Sequence, residues 1–503
     1  MSLLQSFKAI CQIPPPSGHL DAIRTYILSR AEAAGLKAET DAAGNVKVDV
    51  PATEGWEEKA KAQGRNLEDV IILQAHMDMV PQANVDTSFD FEKDSLCLRE
   101  VEGKIMATGT TLGADNGIGV AAMLAIIEEH NTSPSSLFPP HSSLLTPPSS
   151  FTHGPLELLF TVDEEIGMHG VRQMAPGWLK GVQMINLDAE EEGVLMLGCA
   201  GAVDINATFR YKLEKGIPEG DTAVRIVLNG LKGGHSGMDI DLGRGNACKL
   251  ICRFLKHAVV NFEARVAEIQ GGGVRNAIPR EASAVLSVPS EVVDELFDEV
   301  AYYSDLYRYE LRGVDEGVTL SAHVVDNPEW ILPEVIQDDI LNSIEATHDG
   351  LLRFSPDMKG VVETSSNLAT IQMEREGEFG RCNVTMMVRS MNEEMKRALA
   401  SRLQSCFLLG GARVDFSAAY PGWEQSPKSA LPLRVLAQYQ SLYGMDMKVN
   451  SVHCGLECGI LKGLYPKMDI VSFGPTIHHP HSPEESVEID SIERFWKLLI
   501  SVI

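Results

Sequence analysis

Three consecutive carboxylates, Asp163, Glu164 and Glu165, follow an apolar run within the segment T-V-D-E-E-I-G. The run, from Leu156 to Val162, predicts a buried strand. Carboxylates at the end of a buried strand repel one another and lose their hydration unless cations neutralise them. The segment therefore suggests a metal site in which one glutamate is left over to carry protons. A solvated acidic loop after a strand is the alternative.

Other residues able to bind metal ions follow apolar runs elsewhere in the chain. In open α/β sheets, sites form outside the carboxyl ends of strands, so such residues can converge on one site. Imidazole with carboxylate favours zinc, manganese or cobalt over magnesium or calcium, and five ligands suit two divalent ions. Singly, each residue has a common structural explanation, since most histidines are not ligands and aspartates often form turns. The five candidates are His76, Asp115, Glu165, Asp188 and His481.

The composition is that of a globular enzyme rather than a nucleic-acid or membrane protein. The 503 residues, 44% of them hydrophobic, suffice for two domains of ordinary size. With 43 basic and 70 acidic residues the net charge is -27, which argues against nucleic acids and anionic membranes as partners. Nine cysteines without a C-x-x-C pair are typical of reduced thiols. Neither a signal-peptide pattern nor a membrane-length apolar stretch is present, so we expect a cytoplasmic protein.

Helix and strand patterns alternate at both ends of the chain, and the pattern changes in the middle. We expect an α/β catalytic domain with a mixed sheet flanked by helices, formed by residues 1–204 and 424–503. Residues 205–423 contain two sets of strands and helices of β-α-β-β-α-β type. This middle part predicts an inserted α/β domain built from ferredoxin-like units.

Three segments lack a helix or strand pattern. In residues 131–153, twelve of 23 residues are serine or proline, which predicts a disordered insertion because little apolar surface can be buried. Residues 51–69 are polar and predict a loop. The segment from Pro421 to Pro427 predicts a linker that returns the chain to the catalytic domain.

The motifs occur in an order that resembles a known enzyme family. They are H-M-D-M-V, G-T-T-L-G-A-D-N-G-I-G, T-V-D-E-E-I-G, N-L-D, G-G-H-S-G and H-S-P-E-E. In this order they resemble the M20 family of di-metal peptidases. F-D-F-E-K-D at Phe89–Asp94 and H-C-G-L-E-C-G at His453–Gly459 resemble its aminoacyl-histidine dipeptidase branch, also called peptidase D or Xaa-His dipeptidase. The resemblance extends to the last helix, and the Ser/Pro-rich insertion is an addition to it.

The resemblance implies that the five candidate ligands hold two metal ions, most simply zinc, with manganese or cobalt as alternatives. The implied ligands are His76 and Asp188 for one ion, Glu165 and His481 for the other, and Asp115 as the bridge between them. The family also implies a cis peptide bond between Asp115 and Asn116. Of the three histidines near the C-terminus, the H-S-P-E context selects His481 as the ligand.

The resemblance also implies catalytic residues. Glu164 would be the general base, and Asp78 would orient the imidazole of His76. His235, in G-G-H-S-G, resembles the lid histidine that stabilises the developing oxyanion. Arg389 resembles the arginine that binds a substrate carboxylate, a task suited to guanidinium. An ion pair within the protein explains an arginine there equally well.

We expect a metallo-dipeptidase that hydrolyses Xaa-His and other dipeptides, with Asn367 and His453 as further candidates for substrate binding. Glu457 is either an additional carboxylate of the site or a residue of the fold. The alternatives are an N-acyl amino acid deacylase or carboxypeptidase on the same scaffold, and an inactive binding scaffold. The expected partner is a small peptide, without nucleic acid or membrane. In this family the lid, here residues 205–423, pairs two subunits or imitates that pairing, and we expect a homodimer.

Overall fold

The computed structural model describes residues 2–130 and 151–503, which form two compact units. The first unit comprises Met1–Gly198, Trp423–Ser451 and Leu456–Ile503, and the second comprises Cys199–Gly422 and Val452–Gly455. The return of residues 452–455 to the second unit was not anticipated from the sequence. The backbone N–H of Ala200 donates to the carbonyl of Val452, which ties this segment to the start of the second unit.

The chain up to residue 198 alternates helices and strands. Helix α1 begins with a capping box, because Ser2 Oγ accepts from Gln5 N and Gln5 Oε1 accepts from Ser2 N. The helices are α1 (Leu3–Ile10), α2 (Asp21–Ala33), α3 (Trp56–Gln63), α4 (Ala114–Glu129) and α5 (His169–Gln173). The strands are β1 (Lys37–Thr40), β2 (Val46–Val50), β3 (Ile71–His76), β4 (Leu98–Val101), β5 (Lys104–Ala107), β6 (Leu156–Thr161), β7 (Gln183–Asn186) and β8 (Val194–Cys199).

Residues 199–422 are richer in strands. The helices are α6 (Ala247–Phe262), α7 (Val293–Glu310), preceded by a 3-10 turn at Ser290–Val292, α8 (Glu334–Ala346) and α9 (Glu393–Leu409). The strands are β9 (Gly201–Lys212), β10 (Glu214–Lys215), β11 (Asp221–Asn229), β12 (Gly234–His235), β13 (Arg265–Gly271), β14 (Ala277–Ile278), β15 (Ala282–Pro289), β16 (Thr319–Val324), β17 (Trp330–Ile331), β18 (Gly350–Phe354), β19 (Val362–Glu376), β20 (Phe379–Ser390) and β21 (Arg413–Tyr420).

The remaining chain completes the first unit. Its helices are α10 (Ala430–Tyr443), α11 (Glu457–Leu464) and α12 (Ile489–Val502). Its strands are β22 (Trp423–Glu424), β23 (Lys448–Val452), β24 (Asp469–Ser472), β25 (Ile477–His478) and β26 (Ser486–Glu488).

The sheet of the first unit is mixed. Its strand order is β1-β2-β6-β3-β7-β24-β8-β22, with β23 also paired to β8. Strands β6, β3, β7 and β24 are parallel to their neighbours within this set. Every residue of β3 and β6 is buried, as expected for parallel strands covered on both faces. The carboxyl ends of these four strands therefore lie at one edge of the sheet.

The sheet of the second unit contains two nested ferredoxin-like units. One runs β11-α6-β13-β15-α7-β16 and has the strand order β16-β11-β15-β13. The other runs β9-α8-β19-β20-α9-β21 and has the order β19-β20-β9-β21, which is the same arrangement read in reverse. Its first strand precedes the whole of the other ferredoxin-like unit in the chain. The predicted fold class, an α/β domain interrupted by an α/β domain of ferredoxin-like units, is confirmed.

Two of the three segments without a pattern were wrongly predicted. Residues 51–69 contain helix α3, whose Trp56 and Ala60 are buried one turn apart, so a mostly polar helix has an apolar stripe. The segment at residues 421–427, predicted as a linker, contains strand β22. Its Trp423 is fully buried, so the segment is part of the core.

The predicted disordered insertion, residues 131–153, falls outside the described residues except for its last three. Those three are packed, which corrects the prediction there. Phe151 lies edge-to-face against Trp496 with ring centroids 5.9 Å apart. The backbone of His153 donates to Thr53 Oγ1 at 2.8 Å, and Thr53 N donates to its carbonyl at 3.0 Å.

In the part of the chain that the structure describes, every helix is too short or too polar to cross a membrane.

Candidate active site

The sheet of the first unit brings the candidate metal ligands together. His76 is the last residue of β3, and the acidic segment of Asp163 to Glu165 follows β6. Asp188 follows β7, and His481 lies beyond β24. These strands are parallel and adjacent, so their carboxyl ends place the side chains at one edge, as sites in α/β sheets are generally placed.

Asp115 lies between the two histidines His76 and His481. It enters from the start of α4, at a cis peptide bond to Asn116, as predicted. Its Oδ1 lies 3.1 Å from His76 Nε2, and its Oδ2 lies 3.1 Å from His481 Nε2. His76 Nε2 is also 3.1 Å from Asp188 Oδ1. Each oxygen of Asp115 thus faces a different histidine.

Two groups of ligand atoms share Asp115. One contains His76 and Asp188, and the other contains Glu165 and His481, whose Oε1 and Nε2 atoms are 2.9 Å apart. Within each group the ligand atoms lie within 4.8 Å of one another. A third group that meets this distance combines His76 with Glu164 and Glu165.

The charges of the site fit two cations. Hydrogen bonds to Asp115 and Glu165 raise the pKa of His481 to about 11. Burial raises the pKa of Asp188 to about 6, with the neighbouring carboxylates Asp115 and Glu165 adding to the effect. The imidazole of His481 therefore binds a proton readily, because positive charge stabilises the neighbouring buried carboxylates. Divalent ions would supply that charge, and the imidazole and carboxylate donors suit zinc, manganese or cobalt.

Asp78 supports the site in two ways. Its backbone carbonyl accepts a hydrogen bond from His76 Nδ1 at 3.0 Å, which leaves Nε2 free to bind a metal ion. Its carboxylate is 3.6 Å from the same Nδ1 and accepts hydrogen bonds from the backbone N–H of Glu164 at 3.0 Å and Glu165 at 3.2 Å. Ser17 Oγ donates to it at 2.7 Å. Asp78 therefore orients the acidic segment as well as the imidazole.

The three consecutive carboxylates have different surroundings, which favour different roles. Asp163 accepts a hydrogen bond from the backbone of Gly18 at 2.8 Å, which places it outside the ligand groups. Burial raises the pKa of Glu164 well above its usual range, and the nearby charges of Asp188 and Glu457 contribute. A carboxyl group with a raised pKa can accept and return a proton near neutral pH.

Sequence reasoning missed three carboxylates around the site or assigned them no definite role. Burial raises the pKa of Glu190, two residues after Asp188, to about 8. Burial likewise raises the pKa of Glu457 to about 8, and its Oε2 accepts from Gln74 Nε2 at 2.6 Å and Thr161 Oγ1 at 2.7 Å. The third is Glu485, the last residue of H-S-P-E-E, whose carboxylate accepts hydrogen bonds from backbone N–H groups of residues 112–115. Each had a local signal, because Glu190 and Glu485 adjoin ligand motifs and Glu457 lies in H-C-G-L-E-C-G.

The second unit holds a separate group of the predicted residues. His235 Nδ1 accepts hydrogen bonds from the backbone N–H of Gly237 at 3.2 Å and Met238 at 3.0 Å. Burial and the charge of Arg389 lower the pKa of His235. The imidazole is therefore neutral with its proton on Nε2, which is the form that can donate a hydrogen bond to an oxyanion.

Arg389 lacks a carboxylate partner among the described residues. Its side chain is buried, Nη1 donates to the hydroxyl of Tyr420 at 3.1 Å, and Nε lies 3.5 Å from Ser236 Oγ. A buried guanidinium with only neutral partners is costly, so a bound carboxylate would stabilise it. This favours substrate binding over the ion pair that the sequence left open.

Asn367 and His453 have partners within the second unit. Asn367 Nδ2 donates to the carbonyl of Ala277 at 2.8 Å, and its Oδ1 lies 3.5 Å from Asn246 Nδ2. His453 Nε2 lies 2.8 Å from Ser365 Oγ. Both side chains are buried. These contacts favour a structural contribution from Asn367.

His453 should make stability depend on pH. Burial lowers its pKa from 6.5 to about 3, and the charge of Arg389 contributes. Between these two values the unfolded chain binds a proton that the folded chain does not. The free energy of unfolding therefore falls as pH drops from 6.5 toward 3, by on the order of a few kcal/mol at most.

We expect His453→Gln to flatten the pH dependence of thermal unfolding across this window, measured by circular dichroism. His323→Gln, at an exposed histidine of β16, is the control and should keep the wild-type slope. A slope in H453Q as steep as in the wild type would contradict the assignment.

Comparison with protein families and relatives identifies the family of the chain. The model of Peptidase family M20/M25/M40 matches residues 145–503, well over half of the chain. A model of Peptidase family M28 matches residues 59–205.

The sequence is also similar along almost its whole length to proteins named as peptidases. It is 38% identical over 498 residues to the cytosol non-specific dipeptidase of Escherichia coli strain K12, covering 99% of this chain and 96% of that protein. The crystal structure of aminoacylhistidine dipeptidase from Vibrio alginolyticus matches with a TM-score of 0.87 and 38% identity over 99% of this chain and 95% of the other. A Staphylococcus aureus tripeptidase shares the fold at 15% identity and a TM-score of 0.56, over 100% and 97% of the two chains. The chain therefore belongs to peptidase family M20/M25/M40, and it is a peptide hydrolase, as its motifs predicted.

Proposed function

We propose that this protein is a di-metal dipeptidase that hydrolyses Xaa-His and other dipeptides. The observation that carries the proposal is the position of Asp115, whose two oxygens face two separate histidine-carboxylate groups. Relatives named cytosol non-specific dipeptidase and aminoacylhistidine dipeptidase, each 38% identical, support the substrate class. We propose zinc as the metal, with manganese and cobalt as alternatives suited to the same donors.

Different residues of the chain would contribute to different steps of hydrolysis. Two bound divalent ions would polarise the peptide carbonyl and acidify the attacking water. Glu164, with its raised pKa, would take the proton of that water and return it to the leaving amine. His235, whose proton is on Nε2, would donate a hydrogen bond to the developing oxyanion. Asp78 would keep His76 and the acidic segment in place.

Hydrolysis of a small substrate panel tests the proposal. The panel contains Xaa-His dipeptides, other dipeptides and an N-acetyl amino acid, assayed after chelation and then with zinc, manganese or cobalt restored. Metal-dependent cleavage of the dipeptides is the expected result. Cleavage of the acyl substrate alone would overturn the dipeptidase assignment in favour of a deacylase. Folded protein inactive with every metal would indicate a binding scaffold.

Arg389 is the proposed ligand of the substrate's C-terminal carboxylate. Lysine keeps the charge but cannot make the paired hydrogen bonds of guanidinium. Since hydrogen bonds to charged groups contribute about 1.5–3 kcal/mol, we expect Arg389→Lys to raise the dipeptide KM roughly 10- to 100-fold, with a smaller change in kcat.

The matched control is Arg397→Lys, at an exposed arginine of α9. A dipeptide amide lacks the carboxylate, so wild type and R389K should cleave it with similar KM. An unchanged dipeptide KM in R389K would remove Arg389 from the substrate pocket.

We further propose a cytoplasmic location and a homodimer. The name of the Escherichia coli relative and the lack of a C-x-x-C pair in the sequence support the first. The second follows from the family resemblance of residues 205–423. Sedimentation that shows only monomer at micromolar concentration would contradict the homodimer.

A further inference from the structure

Glu485 binds the backbone that leads into the bridging aspartate. Its side chain is buried, with 2% of its surface exposed. Glu485 Oε2 accepts hydrogen bonds from the backbone N–H of Leu112 at 2.8 Å and Gly113 at 2.9 Å. Its Oε1 accepts from the N–H of Ala114 at 2.8 Å and Asp115 at 3.3 Å. One carboxylate thus holds four successive N–H groups, and the last belongs to the bridge itself.

The conformation of the loop before α4 makes this convergence possible. Gly113 has a φ of +67°, in the left-handed region that glycine adopts readily. A side chain there would also meet Met79, since a Cβ would lie 2.9 Å from its Sδ. The turn at Gly113 directs consecutive N–H groups toward one point, and the carboxylate of Glu485 lies at that point.

The same carboxylate is joined to the loop of the second histidine ligand. His481 lies four residues before Glu485, and the backbone N–H of Glu485 donates to the carbonyl of Ser482 at 3.0 Å. Ser482 Oγ in turn donates to the carbonyl of His479 at 2.8 Å. Directly after Glu485, β26 pairs with β5 and β25. The loop is therefore fixed on both sides of the carboxylate.

We propose that Glu485 is a positioning residue that sets the Asp115 and His481 side chains at metal-binding distance from each other. The two side chains meet at 3.1 Å between Oδ2 and Nε2 although 366 positions separate them in the chain. Glu485 is the link that fixes both backbones. The inference rests on the proposed function, because it assigns Asp115 and His481 to a metal site.

The task requires a carboxylate rather than any polar group of that size. A carboxylate only accepts hydrogen bonds, so both oxygens can bind N–H groups. In Glu485→Gln one oxygen becomes an NH₂ group, which would face two N–H donors. Two of the four hydrogen bonds are then lost and the loop shifts. Glu484→Gln is the matched control, since Glu484 is the adjacent residue and is exposed.

Zinc binding to the chelated, full-length protein tests the proposal. Competition with a chromogenic chelator would measure affinity in wild type, E485Q and E484Q, with circular dichroism to confirm folding. Residues that support metal ligands typically change affinity 10- to 100-fold, so we expect a loss of about that size in E485Q and none in E484Q. Wild-type affinity in folded E485Q, with or without a lower melting temperature, would overturn the proposal.

A second measurement serves if E485Q does not fold. Hydrogen exchange in the metal-free wild-type protein should show the amides of residues 112–114 strongly protected, and exchange as fast as in an open loop would overturn the proposal. If the dipeptidase assignment fails, that failure can be told apart from the zinc-affinity and hydrogen-exchange results. A wild-type protein that binds zinc but cleaves no dipeptide would refute the dipeptidase assignment, while the affinity of E485Q would still decide the role of Glu485.

Discussion

Replacing Asp115 by alanine should release both metal ions and abolish dipeptide hydrolysis. Asp115 is the residue that the two histidine-carboxylate groups share, and each of its oxygens lies 3.1 Å from a different imidazole. Without it, each ion would keep one imidazole and one carboxylate. Since the ions supply several kcal/mol of transition-state stabilisation, we expect kcat/KM to fall by at least about 10³-fold.

Glu165→Ala provides the matched comparison, because Glu165 shares a group with Asp115 and His481 but is absent from the group of His76, Asp115 and Asp188. Elemental analysis of the dialysed proteins should find close to two ions per chain in wild type, one in E165A and none in D115A. Two ions retained in D115A would remove Asp115 as the bridge. Equal loss of both ions in E165A would show that the two sites are not separable in the way the geometry indicates.

The cluster of candidate ligands was predictable because the candidates carry local signals. His76 and Asp188 each stand at or just after an apolar run, and such runs become parallel strands whose carboxyl ends meet. The family resemblance then added which residues belong together. The residue assignments to each ion stay predictions until metal content is measured.

Features that depend on distant partners were not predictable in the same way. Glu485 resembles any acidic residue in a polar motif, and its four N–H partners lie 370 to 373 positions earlier. The second ferredoxin-like unit takes its first strand, β9, from before the whole of the other one. Periodicity reports which face of a segment is buried, and it carries no information on which remote strand lies beside it.

Burial also changed two interpretations that single residues could not decide. Trp423 lies in a segment that has the composition of a linker, yet its ring is completely buried. Arg389 could have formed an ion pair, and the structure surrounds it with hydroxyl groups instead. In both cases the deciding fact is the environment of the side chain, which depends on the whole fold.

The second large effect is expected from Glu164→Gln, which preserves shape but removes the proton acceptor. General acid–base groups typically contribute about 10²- to 10⁴-fold, so kcat should fall by that factor while KM changes little. Metal content is the decisive second readout, because a carboxylate oxygen of Glu164 also lies within 4.8 Å of the ligand atoms of His76 and Glu165. Two ions per chain in E164Q, with the activity lost, would assign Glu164 as the base. Loss of an ion together with activity would make it a ligand, and the proton would need another carrier. Glu191→Gln, at an exposed glutamate near Asp188, should change neither quantity.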